Sequence, residues 1–326
     1  MAPADIEQKL DDALTRRGPL LQSEVTDAFR MVNGQADDLP GLVIDRFGPV
    51  LIVQLHEGRG AVALDTLREP IERLLHRVGA RAAYLKHFVK DRNSAASLVE
   101  STHQNALPWI GEPVAREIVI TENGMRFRIR PYDGYSVGLF LEHRDNRRRV
   151  RESSNEEAVL NLFSYTCGFS VAAALGGARE VTSVDLAKKS LEWGRANFRE
   201  NGLDDTRHLF FCTDTFDFFK RAARQGRRYD LIVMDPPTFS RTRRPTRVFE
   251  LEARLPDLFS AAIGLLSKDG TLFFATNHRQ FMHRDIETAI RNAAAGRAFT
   301  ITSRPELPID FAGDPHYSRS IWATFK

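Results

Sequence analysis

The sequence predicts an α/β protein in which a doubly wound, mostly parallel β-sheet follows a smaller N-terminal α+β domain. Two observations support this fold class. From residue 158 onward, short apolar runs typical of buried strands alternate with segments of helical periodicity, as in a sheet covered by helices on both faces. The chain of 326 residues is also too long for one small domain. We therefore predict a small domain at 1–115, a bridge at 116–145 and the sheet domain at 146–326.

The first part of the chain mixes helical and strand-like patterns. Apolar residues at helical spacing indicate helices, short apolar runs bounded by Gly or Pro indicate strands, and Asn123-Gly124 is a favoured hairpin turn. In chain order these patterns predict a helix at 5–31, two strands within 42–55, a helix at 64–78, a strand at 83–86 and a hairpin at 117–130.

The sheet domain repeats a strand followed by a helix and closes with a last strand. The predicted strands are 158–163, 180–184, 209–212, 231–234, 271–275 and 320–325, and the predicted helices are 169–174, 188–201, 216–224, 250–266 and 284–294. In such sheets, ligands bind at the carboxyl ends of the strands. The residues directly after each strand are therefore the candidate site.

Composition excludes several classes of protein. Apolar residues make up 42% and charged residues 27% of the chain, and the net charge is +3. The sequence contains no apolar run of membrane-spanning length, and its N-terminus lacks the features of a signal peptide. The chain has two cysteines, Cys167 and Cys212, fewer than a secreted protein of this size would often carry. Neither has a possible metal ligand beside it at the spacing of a zinc finger. We expect no membrane span, a cytoplasmic location and no bound metal.

The first strand of the sheet domain leads into a tight turn of small and polar residues. A strand, such a turn and a helix start form a cradle in which backbone N–H groups approach a nucleoside-bearing ligand. The three spaced glycines of a dinucleotide site are absent, which argues against a nicotinamide cofactor. An ordinary turn is the alternative. The cradle candidates are Asn161, Phe163, Ser164, Tyr165, Thr166 and Gly168.

Acidic residues follow the next two strands. Asp185, with Leu186 beside it, lies about 20 residues beyond the turn, a spacing that suits a carboxylate bound to ribose hydroxyls. Asp214, followed by Thr215, could accept the exocyclic amine of an adenine. Aspartate is also a favoured helix N-cap, so capping is the alternative at both positions.

The sharpest pattern is Asp235-Pro236-Pro237-Thr238-Phe239, directly after the fourth strand. Prolines lack an N–H and fix φ, so carbonyl groups in this loop can face a substrate nitrogen. Phe239 offers a face on which a planar base can stack. A rigid loop without function is the alternative. Asn277, after the fifth strand, is a further candidate for substrate contact, whereas a lone histidine such as His278 is more often structural.

Together these segments resemble the bacterial class I rRNA methyltransferases of the large ribosomal subunit, which have a Rossmann-like sheet. Residues 161–166 are similar to the family's first cofactor motif, although Cys167 stands where glycine is usual. Residues 138–144 resemble the stretch that lines the family's cofactor pocket. The resemblance implies S-adenosylmethionine as the cofactor. It also implies cofactor-binding roles for Phe140, Glu142, Arg144, Asp185, Asp214 and Asp235.

The resemblance separates two branches of this family. The cytosine-C5 branch uses a cysteine after the fifth strand, where this chain has Ala275-Thr276-Asn277-His278. The guanine-N7 half of the bifunctional 23S rRNA methyltransferase is similar at residues 235–240, at Asn277-His278-Arg279 and at Asp310-Phe311-Ala312. This branch implies direct methyl transfer to guanine N7. Its catalytic residues would be Asp235, Pro236, Pro237, Phe239 and Asn277.

The resemblance also implies an RNA partner, as rRNA or a pre-ribosomal particle, and it allows a homodimer. Charge alone favours solvated surface for the arginine runs. The loop directly after the catalytic motif is nevertheless the best candidate for phosphate contact. Its arginines are Arg241, Arg243, Arg244 and Arg247.

Three alternatives stay open. They are methylation of an exocyclic amine on RNA, a small-molecule or protein methyltransferase, and a non-catalytic RNA-binding protein. The presence of Asp185, Asp214 and Asp235 argues against the last of these.

Overall fold

The computed structural model describes residues 1–56, 62–88, 106–134, 136–243 and 246–326. The chain forms two compact units. The first comprises Met1–Arg144 together with Pro308–Asp314, and the second comprises Asp145–Leu307 together with Pro315–Lys326. The sequence analysis assigned residues 308–314 to the large domain and 116–145 to a bridge, whereas the structure places 308–314 and nearly all of 116–145 in the first unit.

Within the described residues, the first unit contains a five-stranded sheet, three helices and a separate hairpin. The strands of the sheet are β1 (Ala28–Asn33), β2 (Leu42–Phe47), β3 (Val50–His56), β4 (Ala82–Phe88) and β5 (Ile110–Gly111), in that spatial order. The helices are α1 (Pro3–Arg16), α2 (Gly18–Leu21) and α3 (Arg68–Arg77), and the hairpin consists of β6 (Ile118–Glu122) and β7 (Met125–Ile129). Strands β3 and β4 are parallel, and the other neighbours in the sheet are antiparallel.

The prediction of a single helix at 5–31 is wrong, because α1 ends at Arg16, the short helix α2 ends at Leu21, and no helix continues to residue 31. Pro19 lies in the first turn of α2, where a helix needs no intrahelical N–H, so it suits the start of a second helix and not the interior of one continuous helix. The chain then extends into β1, in which all six residues are buried. The apolar residues Leu14, Val25 and Phe29 at helical spacing suggested one helix. Phe29 instead lies on β1, and Val25 is 54% exposed.

Segment 308–314 is anchored in the first unit by a buried carboxylate. Both oxygens of Asp310 accept hydrogen bonds from Arg144, at 2.7 and 3.0 Å, and Oδ2 also accepts from the backbone N–H of Arg30 at 2.9 Å. Asp310 has no exposed surface. Removal of one partner from a buried ion pair typically costs about 3–5 kcal/mol, so the return of this segment is an integral part of the unit.

The second unit contains a seven-stranded sheet. Its strands are β8 (Ala158–Leu162), β9 (Glu180–Asp185), β10 (Leu209–Cys212), β11 (Tyr229–Met234), β14 (Leu266–Thr276), β15 (Phe299–Ser303) and β16 (Arg319–Phe325). The helices are α4 (Arg144–Glu152, which begins at the last residue of the first unit), α5 (Gly168–Leu175), α6 (Lys188–Glu200), α7 (Thr215–Arg224), α8 (Leu251–Leu265) and α9 (His283–Ala293).

The strand order β10-β9-β8-β11-β14-β16-β15 confirms the predicted fold class. The first five of these strands are parallel, and β16 is antiparallel to both of its neighbours. The sequence analysis did not predict β15, nor the antiparallel hairpin of β12 (Phe239–Arg243) and β13 (Thr246–Glu250). The order reverses between β8 and β11, and such a switch point is where α/β sheets form their ligand crevice.

The described residues contain neither a membrane-crossing helix nor a cluster of metal ligands. None of their helices combines the length and the hydropathy that a bilayer crossing requires. Nor do three or more His, Cys, Asp or Glu side chains within these ranges come together as ligands for a metal ion.

Candidate active site

Strand register aligns the candidate residues of the second unit along one edge of the sheet. Leu162 of β8 pairs with Met234 of β11, so the turn at 163–167 and the loop at 235–239 leave the sheet side by side. Cys212 of β10 pairs with Asp185 of β9 on one side. On the other side, Thr276 of β14 pairs with Arg319 of β16. The edge therefore presents, in order, Asp214, Asp185, Ser164, Asp235 and Asn277.

The turn after β8 is held in an unusual backbone conformation. Phe163, Tyr165 and Cys167 have φ values of 56°, 47° and 63°, in a region that non-glycine residues seldom adopt. Backbone hydrogen bonds hold this shape: Ser164 N–H donates to Val184 at 3.0 Å, and Cys167 N–H donates to Ser164 at 2.7 Å. Such strain persists only where the surroundings enforce it, and it is frequent at ligand sites. The role of this turn as a cofactor cradle stays a prediction.

Buried side chains support this turn from below. Asn161 donates from Nδ2 to Ser170 Oγ at 2.8 Å, and Ser170 shares a 2.8 Å hydrogen bond with Ser183. Asn197 of α6 donates to the carbonyl of Thr166 at 2.9 Å. The amide nitrogen of Asn161 is thus used inside the unit, where it joins β8 to α5. Gly168 begins α5, and its neighbour Cys167 is the N-cap residue.

Gly194 is a residue that the sequence analysis missed. It lies on α6 against the turn, and a Cβ added there would approach Cys167 Sγ to 2.3 Å. The absence of a side chain at Gly194 makes room for the Cys167 thiol. Burial raises the pKa of that thiol to about 12, so Cys167 is a packing group and not a nucleophile at neutral pH.

Asp185 closes the turn through its carboxylate. Oδ2 accepts from the Tyr165 N–H and Oδ1 from the Ala187 N–H, both at 2.8 Å. Burial raises the pKa of the Asp185 carboxyl above its ordinary value, while these backbone hydrogen bonds oppose the shift. Helix α6 begins at Lys188 with Ala187 as its N-cap, so the capping alternative is not what the structure shows. The neighbouring Leu186 is 48% exposed.

Asp214 is the N-cap of α7. Its Oδ1 accepts from the N–H groups of Phe216 at 2.9 Å and Asp217 at 3.3 Å. The capping alternative is therefore correct here, and a role on the adenine side stays a prediction. Thr215, the first residue of α7, is buried.

The loop after β11 is joined to the end of β14. The Thr238 hydroxyl donates to Asn277 Oδ1 at 2.8 Å, and the Thr238 carbonyl accepts from the Leu251 N–H at the start of α8 at 3.1 Å. Because Oδ1 of Asn277 is the acceptor, the amide NH₂ is the donor group that this side chain can present. Pro236 is buried and Phe239 is 57% exposed, so the loop has a packed base and an open aromatic face.

A hairpin extends the same loop. Arg241 and Arg243 lie on β12 and Arg247 on β13, whereas Arg244 lies outside the described residues. The Phe249 ring on β13 packs against the Phe163 ring of the turn, with 5.5 Å between ring centroids. The strand that carries Arg247 therefore contacts the predicted cofactor cradle directly.

Three predicted cofactor residues belong to the first unit. Phe140 is 42% exposed and Glu142 is buried in a short 3₁₀ turn, Leu141–His143. Arg144 is buried in its ion pair with Asp310. Their roles toward a cofactor stay predictions.

Comparisons with known proteins place this architecture in a family. The family described as S-adenosylmethionine-dependent methyltransferase matches residues 29–308. Ribosomal RNA large subunit methyltransferase K of Neisseria meningitidis is 41% identical over 170 residues, which cover 52% of this chain and 48% of the relative. Ribosomal RNA large subunit methyltransferase I of Klebsiella pneumoniae is 33% identical over 82% of this chain and 65% of its own length.

Solved structures agree with the family match. A crystal structure of a protein with SAH bound superposes with a TM-score of 0.86 at 28% identity, and covers 99% of this chain and 82% of that one. A Streptococcus mutans protein superposes with a TM-score of 0.84 at 27% identity, over the same shares. The chain spans 48–65% of the length of the Neisseria and Klebsiella relatives. From its fold and this match, the chain belongs to the S-adenosylmethionine-dependent methyltransferase family.

Proposed function

We propose that this chain methylates N7 of a guanine in large-subunit rRNA. The observation that carries the proposal is the loop 235–239 at the switch point, braced by Asn277 and continued by an arginine-bearing hairpin. The names of the Neisseria and Klebsiella relatives support large-subunit rRNA as the substrate. The buried, high-pKa thiol of Cys167 argues against the cytosine-C5 reaction, which needs a thiolate.

The residues around the turn fit S-adenosylmethionine. The strained turn at 163–167 directly follows β8 at the switch point, and the Asp185 carboxylate is hydrogen-bonded to it. When bound, the cofactor supplies an activated methyl group with its own leaving group. The protein's task is therefore to position the acceptor and to stabilise developing charge.

Guanine N7 has a lone pair and no proton, so its methylation needs no general base. Positive charge develops on the purine ring, and the Asp235 carboxylate would stabilise it. Phe239 would stack on the ring, and the Asn277 amide would donate to a base carbonyl. Arg241, Arg243 and Arg247 of the hairpin, together with Arg244, would contact phosphates and fix the register of the RNA.

The direct test is methyl transfer from labelled S-adenosylmethionine to an unmodified large-subunit rRNA transcript, with nucleoside mass spectrometry of the product. We expect 7-methylguanosine. A methylated exocyclic amine would show that the acceptor atom is an amine nitrogen and not N7. The product 5-methylcytidine would contradict the argument from the buried Cys167 thiol. RNA that stays unlabelled, as transcript and as pre-ribosomal particle, while the protein binds the cofactor would point to a small-molecule or protein substrate.

The hydrogen bond from Thr238 to Asn277 gives a second prediction. Thr238→Val removes the hydroxyl at nearly constant volume, so Asn277 loses the partner that orients its amide. A hydrogen bond is worth about 1 kcal/mol, so we expect kcat to fall about fivefold. Thr238→Ser keeps the hydroxyl and is the matched control. Equal kcat for the two variants would show that this hydrogen bond does not position Asn277 for the reaction.

A further inference from the structure

Arg319 is a buried arginine on the candidate edge. It is the first residue of β16 and pairs in register with Thr276, the residue before Asn277. Arg319 is only 5% exposed. Its Nη2 contacts His316 Nδ1 and Met282 Sδ, both uncharged acceptors, and its Nη1 has no hydrogen-bond partner within the described ranges.

Three other buried arginines are neutralised by carboxylates. Arg17 pairs with Asp37, Arg30 with Asp45 and Arg144 with Asp310, each through short charge-assisted hydrogen bonds. Within the part of the chain that the structure describes, Arg319 contacts only His316 and Met282 through its guanidinium, and no carboxylate pairs with it. A buried charge without a counter-charge is unfavourable. The Arg319 guanidinium at the edge where ligands bind therefore indicates that an anionic group of the ligand pairs with it.

A second unsatisfied nitrogen lies at the same edge. His278 stands two residues beyond Thr276, and its Nδ1 is buried without a hydrogen-bond partner among the described residues. Its ring packs on Phe281, with 4.5 Å between ring centroids. Unsatisfied polar atoms on neighbouring strand ends mark this part of the edge as built for a polar ligand.

We propose that Arg319 binds a backbone phosphate of the RNA substrate beside the target nucleotide. The inference rests on the proposed function, since it takes RNA as the substrate. The phosphodiester is the anionic group of RNA, and guanidinium binds phosphate through paired hydrogen bonds. His316 is exposed and offers Nη2 a neutral acceptor, so an arriving phosphate replaces it with a stronger, charged acceptor.

The test is the salt dependence of RNA binding, measured by anisotropy with a labelled, unmodified large-subunit rRNA fragment between about 50 and 200 mM salt. Loss of one phosphate contact lowers the slope of log K against log salt by roughly 0.7–0.9, which we expect for Arg319→Gln. Arg319→Lys should keep the slope and weaken binding. Arg284→Gln is the matched control, because the Arg284 side chain is 86% exposed on α9.

An unchanged slope in folded Arg319→Gln overturns the inference and leaves the proposed function intact. A wild-type protein without salt-dependent binding to the fragment also overturns the inference, and the methyl-transfer assay on transcript and pre-ribosomal particle decides the proposed function separately. If Arg319→Gln does not fold, His316→Ala decides the matter. That variant removes the competing acceptor from an exposed position, and RNA binding should tighten about fivefold, the value of one neutral hydrogen bond. Unchanged or weaker binding by His316→Ala would then overturn the inference.

Discussion

Replacement of Asp235 by Ala should lower kcat for methyl transfer by about 100- to 1,000-fold, the usual loss when one preorganised electrostatic group is removed from a reacting centre. Asp235 directly follows buried Met234, at the point where the strand order reverses. If the acceptor is guanine N7, as proposed, a charge held there would stabilise the positive purine ring at no cost of reorganisation. Asp235→Asn should show most of the same loss, because it keeps the shape and removes the charge.

Cofactor affinity separates this effect from misfolding. The turn at 163–167 and Asp185 are hydrogen-bonded to each other, so S-adenosylmethionine binding should change by less than about threefold in either variant. Asp257→Asn is a suitable control, since the Asp257 side chain is 67% exposed on α8. Near-normal turnover by Asp235→Ala would remove Asp235 from the reaction, and lost cofactor binding would reassign it to the cofactor.

Gly194→Ala should be among the most damaging single-methyl additions in the second unit. The new Cβ would lie 2.3 Å from Cys167 Sγ and 2.8 Å from Cys167 Cβ, both inside a buried turn. Overpacking of this kind costs about 1–3 kcal/mol, so we expect Tm to fall by about 5–10 °C. Displacement of the turn should also weaken S-adenosylmethionine binding by about tenfold, or ~1.4 kcal/mol.

A second substitution tests the cause of that loss. Cys167→Gly removes both clashing atoms, and its φ of 63° suits glycine. The double variant Cys167→Gly/Gly194→Ala should therefore recover most of the lost stability and binding. Gly264→Ala is the control on an exposed position of α8, where a Cβ meets nothing within 4 Å, and it should stabilise by up to about 1 kcal/mol. Failure of the double variant to recover would mean that the clash with Cys167 is not the cause of the loss.

The sheet and its edge were predictable because they depend on local patterns. Buried strands read as short apolar runs, and parallel strands bring their carboxyl ends to one edge, so Asp185, Asp214 and Asp235 could be grouped from the sequence alone. Capping was the alternative for the first two acids, and it is correct only for Asp214. An Asp that closes a turn and an Asp that caps a helix have the same sequence pattern.

The features that could not be predicted depend on contacts between residues that are far apart in the sequence. The space that Gly194 leaves for Cys167, and the hydrogen bond from Thr238 to Asn277, join residues that are distant in sequence and have no pattern of their own. Strand β1 was mistaken for helix because a fully buried strand lacks the alternation that identifies half-buried ones. The hairpin of β12 and β13 was not predicted, because its arginine-rich sequence is typical of a loop.

The position of Asp310 in the chain has a consequence for how the protein is made. During translation the N-terminal unit emerges first, yet the buried guanidinium of Arg144 finds its carboxylate only when residue 310 leaves the ribosome. By then all strands of the second unit's seven-stranded sheet except β16 have been synthesised. The nascent N-terminal unit therefore lacks this ion pair until nearly all of the second unit has been synthesised, and its last segment emerges only shortly before β16 completes the seven-stranded sheet.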